Sequence, residues 1–208
     1  MENSSAKNPV MIEDFGPRVT SVWNDLRPTT RNLLERAWRS TAAATTTDAR
    51  GAAPYDPRAD RELSQLLAAL DERATAAGAN DEGARKAQRF ADACANVLIQ
   101  QTQSAEVFAQ LIQRAHFRQD YARLDELADA MTRRLAPSEL CELARSGKVV
   151  IRALAHEVLA QAPTSLLRAL LHDPVDADIA RQVLERQAIE FGSEEAKRTL
   201  YELDEFGN

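Results

Sequence analysis

Ala136-Pro137-Ser138-Glu139-Leu140-Cys141-Glu142-Leu143-Ala144 returns 26 residues further on as Ala162-Pro163-Thr164-Ser165-Leu166-Leu167-Arg168-Ala169-Leu170. Both copies open with Ala-Pro and a hydroxyl residue, and both place apolar side chains at the same offsets. Proline at a first helical position gives up no hydrogen bond, so each copy reads as the start of a short helix. Each is followed by a second apolar set: Leu154, Ala155, Val158 and Leu159, then Ile179, Ala180, Val183 and Leu184. The second sets match at a shift of 25, so the connecting turn loses one residue in the later copy. The unit is a short helix, a turn and a longer helix. One such hairpin cannot bury its apolar face alone, so neighbouring hairpins are expected to lie side by side. Assemblies of this kind present surfaces for binding more often than they carry chemistry.

The rest of the chain agrees with a helical reading. Of 208 residues, 44% are hydrophobic and 28% charged but only 5% aromatic. Ala, Leu, Arg, Glu and Gln abound while the β-branched and aromatic strand formers are scarce, which predicts an all-α fold. The length suffices for one domain with a continuous core and some tail to spare. Net charge is −6, and residues 173–208, with ten acidic and four basic side chains, account for all of it. Such a chain is repelled by bulk nucleic acid and by anionic membrane unless a local patch reverses the sign. Cys94 and Cys141 stand 47 residues apart among apolar neighbours, without a metal-type partner, and read as buried free thiols. No stretch has signal-peptide character or the run of about 20 apolar residues that spans a bilayer. A cytoplasmic protein is expected, with a composition that suits a bacterial source.

Upstream of the tandem, residues 1 to about 19 lack apolar periodicity and are expected to be mobile. Val22, Trp23 and Leu26 then form one apolar set and Leu33, Leu34, Ala37 and Trp38 another. Pro28 lies between them, and a helix rarely continues through the residue before a proline, so a short helical turn should precede a helix over 28–44. Thr45 to Pro54 is the best linker. The chain therefore divides into an N-terminal segment, 1–55, and a helical-repeat domain, 56–208. Asp56-Pro57 is an N-cap followed by a first-turn proline. Leu63, Leu66, Leu67, Leu70 and Ala74 share one face of the ensuing helix, which Gly78 should end. A second long helix from Asp81 turns Ala87, Phe90, Ala91, Cys94, Val97 and Leu98 inward. Ser104 and Asp120 are candidate caps of two more helices, with Val107, Phe108, Leu111, Ile112 and Ala115 buried in one and Leu124, Leu127, Ala128, Met131 and Leu135 in the other. Beyond the tandem, Ser193 with Glu194 and Glu195 starts a last helix, whose acidic first turn suits the helix dipole.

Asp173-Pro174-Val175 leading to Ile179-Ala180, and Val150-Ile151-Arg152-Ala153-Leu154-Ala155, resemble the turn and second-helix signatures of HEAT-like α-helical repeats. The resemblance covers the C-terminal third. It implies an α-solenoid of right-handed stacked hairpins, with a scaffold or adaptor role and no substrate.

Signatures of chemistry are absent. The chain has no glycine-rich phosphate loop, no HExxH, no CxxC and no Glu-x-x-His. His116, His156 and His172 fall on different predicted helices and read as surface or terminal residues. Two acidic sets, Asp125-Glu126-Asp129 and Asp173-Asp176-Asp178, have the composition of a general acid-base pair or a hard-cation site. Solvated helix faces and helix caps account for both more simply. No catalytic residue, metal or cofactor is therefore expected.

One basic line stands out on the acidic background. Lys148, Arg152 and His156 recur every fourth residue, with Arg145 one turn earlier. They are the candidate partner-binding residues, suited to an acidic segment of a protein, including this chain's own Glu202, Asp204 and Glu205. The same region bears comparison with a helix-turn-helix, but its second helix starts Val149-Val150-Ile151 where a DNA-reading helix places small polar residues. That apolar start predicts burial. Trp23 and Trp38 read either as docking anchors or as cover for the first hairpin. The functional expectation is a non-catalytic protein-protein interaction module. The alternatives are a small helical enzyme whose separated histidines and carboxylates converge in the fold, and, less favoured, a nucleic-acid-binding protein using Arg133, Arg134, Arg145, Lys148 and Arg152.

Overall fold

The computed structural model describes residues 12–42, 55–76 and 81–206, which form eleven α-helices, one 3-10 turn and no strand. All-α is therefore the fold class of the described residues. The expected linker at 45–54 and the expected stop at Gly78 lie outside them. The chain forms two compact units that divide between Gln101 and Thr102. The helices that follow Asp56 thus belong with the N-terminal helices, and the repeat helices form a unit with those that follow Thr102.

In the first unit a 3-10 turn, Ile12–Phe15, precedes α1 (Pro17–Asp25), α2 (Pro28–Ala42), α3 (Pro57–Ala76) and α4 (Glu82–Gln101). The chain breaks between α1 and α2 at Leu26 and Arg27, just ahead of Pro28 as the sequence requires. Helices α3 and α4 pack along each other, burying Leu63, Leu66, Leu67 and Leu70 against Ala87, Phe90, Ala91, Cys94 and Leu98. Helix α1 lies on α3 and α2 on α4. The expectation of a mobile segment up to residue 19 is corrected from Phe15 onward, because Phe15 and Val19 are buried. Phe90 explains the docking. Its ring meets those of Phe15 and Trp23 at 5.9 Å each and of Trp38 at 5.2 Å, so both tryptophans cover the α3–α4 hairpin. Polar contacts fix the register. The Arg27 guanidinium donates to Glu62 at 2.7 Å and to Asp56 at 2.8 Å, and the Thr30 hydroxyl also donates to Glu62. Asp56 in turn accepts the Arg58 N–H at 2.9 Å, capping α3.

The second unit contains α5 (Ala105–Phe117), α6 (Tyr121–Arg134), α7 (Pro137–Ala144), α8 (Val149–Ala160), α9 (Thr164–Leu170), α10 (Ala177–Glu190) and α11 (Glu194–Phe206). The caps fall where the sequence places them. Ser104 accepts the Val107 N–H, Asp120 accepts the Arg123 N–H and Ser193 accepts the Ala196 N–H. The α5–α6 turn closes through Gln119 at φ 55°, a left-handed conformation that glycine ordinarily fills at a helix end. The tandem copies become α7–α8 and α9–α10, each helix packed on its partner, and α5–α6 is a third hairpin that the tandem does not announce. Helix α5 touches α7, α7 touches α9 and α9 touches α11, while α6 touches α8 and α8 touches α10.

Most of the tandem's inward residues are buried, with Leu154 and Leu170 half-buried and two residues exposed. Leu166, the counterpart of buried Leu140, is 46% exposed. Val149, expected to be buried at the start of α8, is 70% exposed, and burial begins at Ile151. A first-turn residue still lies at the turn, so its side chain clears the neighbouring hairpin.

Candidate functional site

The four residues of the basic line all lie on the α7–α8 hairpin, but the structure gives them different work. Arg145 closes α7, and its Nη1 donates to the Val175 carbonyl at 3.2 Å and to Asp176 Oδ1. The Asp176 side chain is only 5% exposed. A carboxylate taken that far from water needs a paired, hydrogen-bonded cation, so Arg145 is held in a clamp between the first tandem hairpin and the second. Cys141 shares this region. Burial first, and then the Asp176 carboxylate, push its thiol up to about 11. Such a thiol is no nucleophile near neutrality. Cys94 is also a buried free cysteine, with its Sγ donating to the Leu63 carbonyl at 3.4 Å.

Lys148 stands at the N-cap of α8, exposed, with its backbone N–H received by Ser146 Oγ at 3.2 Å. One turn on, the exposed Arg152 folds its guanidinium back, and Nη1 donates to the Ser146 carbonyl at 3.1 Å. That bond orients the cation without neutralising it. His156 is half-buried; burial lowers its pKa, and the positive charges of Arg186 and Arg152 lower it further. It is a neutral imidazole on the α10-facing flank of α8. Of the four expected partner-binding residues, Lys148 and Arg152 are outward cations, His156 is neutral near pH 7 and Arg145, although 39% exposed, is paired with the buried Asp176.

Other charges are matched across helices. Arg186 of α10 donates to Glu157 of α8 at 2.9 Å and to Glu190 at 2.7 Å. The acidic end of the chain does not lie on the basic line. Glu202 receives Arg168 at 2.7 Å, Asp204 receives Arg181 at 2.8 Å and Glu205 receives the Tyr201 hydroxyl at 2.9 Å. Self-occupation of the line by that segment is thus corrected: the arginines of α9 and α10 are closer and already hold it.

The acidic sets read as caps and solvated faces. Asp125, Glu126 and Asp129 are exposed, with Glu126 receiving Arg123 at 2.7 Å. Asp173 Oδ1 accepts the Val175 N–H at 2.8 Å, Asp176 belongs to the clamp and Asp178 is exposed. His116 and His172 are exposed. Among the described residues no group of three or more His, Cys, Asp or Glu is placed to hold a metal ion, and no helix is long and apolar enough to cross a membrane.

Sequence reasoning missed two features. The first is Gln187 of α10, only 6% exposed, which donates to the carbonyls of Ala160 and Ala162 and accepts from Thr164. A glutamine inside an apolar set carries no signal of its partners. The second is the exposure of Val149 and Val175, 70% and 62%. Their place at the turns of the two tandem copies was the available signal. No family model, curated protein or solved structure matches this chain.

Proposed function

We propose that the chain is a non-catalytic protein-interaction module whose second unit is an α-solenoid of HEAT-like hairpins. The observation that supports it is the order of helix contacts. First helices α5, α7, α9 and α11 touch in succession, and second helices α6, α8 and α10 do the same. A two-layer succession of that kind buries a continuous core while leaving turns and outer faces as an extended surface for partners. The polar outer face of α11 suits the end of such a stack. On this reading Arg145 is the internal fastener of the binding edge, and Lys148 and Arg152 are the groups a partner meets.

The test uses the full chain, because α1 and α2 bury Val19 and Leu34 and a chain starting at Asp56 would expose the core that they cover. Proteins crosslinked to it in a lysate of its native host are identified, purified and mixed with it again. The reading requires at least one protein that re-forms a saturable complex, more slowly as salt rises. If none re-forms a complex, the reading fails.

A further inference from the structure

We infer that the edge formed by the hairpin turns of the second unit is a docking surface for an acidic peptide segment bearing apolar side chains; this rests on the interaction reading above. Singly exposed apolar residues are ordinary on any protein. Leu166, Ile189, Phe191 and Tyr201 are exposed elsewhere in the unit, but each of its three hairpin turns carries at least one such residue. Phe117 and Tyr121, 79% and 68% exposed, flank the α5–α6 turn, while Val149 opens α8 just past the α7–α8 turn and Val175 lies in the α9–α10 turn. The two tandem turns are neighbours, because Arg145 of one donates to the Val175 carbonyl of the other. The α5–α6 turn falls at the same end. Helix α5 packs on α7 as α7 packs on α9, and α6 on α8 as α8 on α10, so the same stacking carries the three turns along one edge.

Charge selects the occupant. Of the carboxylates at these turns, Asp176 is paired with Arg145; Asp120 and Asp173 accept backbone N–H groups and keep their charge, and Asp178 is exposed near Val175, so the cationic stretch is the α7–α8 turn. Among the described residues neither Lys148 nor Arg152 pairs with a carboxylate, whereas Arg168, Arg181 and Arg186 all do. Two outward cations thus stand beside Val149, and the charge that complements them is negative. Apolar side chains of the peptide would cover the valines and the aromatic pair, and its carboxylates would meet Lys148 and Arg152.

The experiment selects displayed short random peptides on the full chain and follows the enriched ones, fluorescently labelled, by anisotropy. Enriched sequences should be net acidic with Leu, Ile, Val or Phe interspersed. Their affinity should fall on the order of tenfold in the variant Lys148→Glu/Arg152→Glu and similarly in Val149→Asp/Val175→Asp, with Arg198→Glu on α11 as an unchanged control. Bound peptide should also shield Lys148 of the unsubstituted chain from amine-reactive labelling, a readout independent of whether any variant folds. Peptides that are basic or uncharged, that bind the edge variants as well as the original, or that leave Lys148 labelling unchanged overturn the inference while the interaction reading stands. Failure to enrich any peptide overturns it as well, and recovery of a partner from the lysate then decides the interaction reading separately.

Discussion

Gln187→Leu removes the polar joint between the two tandem hairpins while keeping the volume of the side chain. The Gln187 amide donates to Ala160 at 3.0 Å and to Ala162 at 2.7 Å, and its carbonyl accepts from Thr164 at 3.0 Å. Gln187 and Thr164 are 6% and 8% exposed, so water replaces these bonds poorly. Three hydrogen bonds at about 1 kcal/mol net each give about 3 kcal/mol, with a further penalty if the two carbonyls stay dry. At a urea dependence of roughly 1.5 kcal/mol/M for a unit of this size, the midpoint falls by roughly 2 M. Thr164→Val removes one donor and should cost about 1 kcal/mol. The double variant should lose less than the two singles together, because the Thr164–Gln187 bond is counted in both. Ellipticity at 222 nm follows the transition. Tryptophan emission does not serve, since Trp23 and Trp38 both lie in the first unit. A Gln187→Leu midpoint within roughly 0.3 M of the original would refute the joint as a source of stability.

Four further outcomes are expected. Gln119→Gly should raise stability by roughly 0.5–1 kcal/mol in urea titration, because the φ of 55° at the α5–α6 turn burdens a side chain that glycine lacks. Phe90→Ala should cost roughly 3–5 kcal/mol and shift tryptophan emission to the red under native conditions, since that ring supports Phe15, Trp23 and Trp38. Cys141, with a thiol near 11, and the equally buried Cys94 should react with a disulfide reagent only as fast as the chain opens; prompt native-state labelling would contradict their burial. His156 has a folded pKa below its ordinary 6.5, owing to burial and the charges of Arg186 and Arg152. Its contribution is therefore present above the unfolded value and lost as pH falls through the folded one, so stability should decline as pH falls below the ordinary 6.5. His156→Gln should flatten that decline.

The fold was legible wherever a local rule had one solution. A proline after a capping side chain started α3 at Pro57, and Ser104, Asp120 and Ser193 capped the helices behind them. Apolar spacing found the buried faces of α3, α4 and α5, because a regular helix against a core leaves the pattern few alternatives. Grouping was less legible. The long linker near residue 50 pointed to a boundary there, yet Phe15, Trp23 and Trp38 all reach Phe90. Linker composition reports how freely a segment turns; where it lands depends on a matching aromatic much later in the chain. The α5–α6 hairpin escaped the repeat search for a related reason. It shares the packing of the tandem copies but not their Ala-Pro start.

The candidate site shows the same division more sharply. Spacing put Arg145, Lys148, Arg152 and His156 on one hairpin, and they are there. Spacing does not say which charge is spent inside the fold. Arg145 is committed by Asp176, 31 residues later, and Asp176 has its effect only because it is 5% exposed. In water the pair would contribute little, whereas removing Arg145, itself 39% exposed, leaves the Asp176 carboxylate without compensation in a dry place. Arg145 therefore acts by joining the turn that leads into Val149 to the turn that carries Val175. The chain can leave Lys148 and Arg152 without carboxylates because their solvation is intact and their charges are screened. On one edge of one unit, the arginine lost to a partner is what keeps the residues available to a partner side by side.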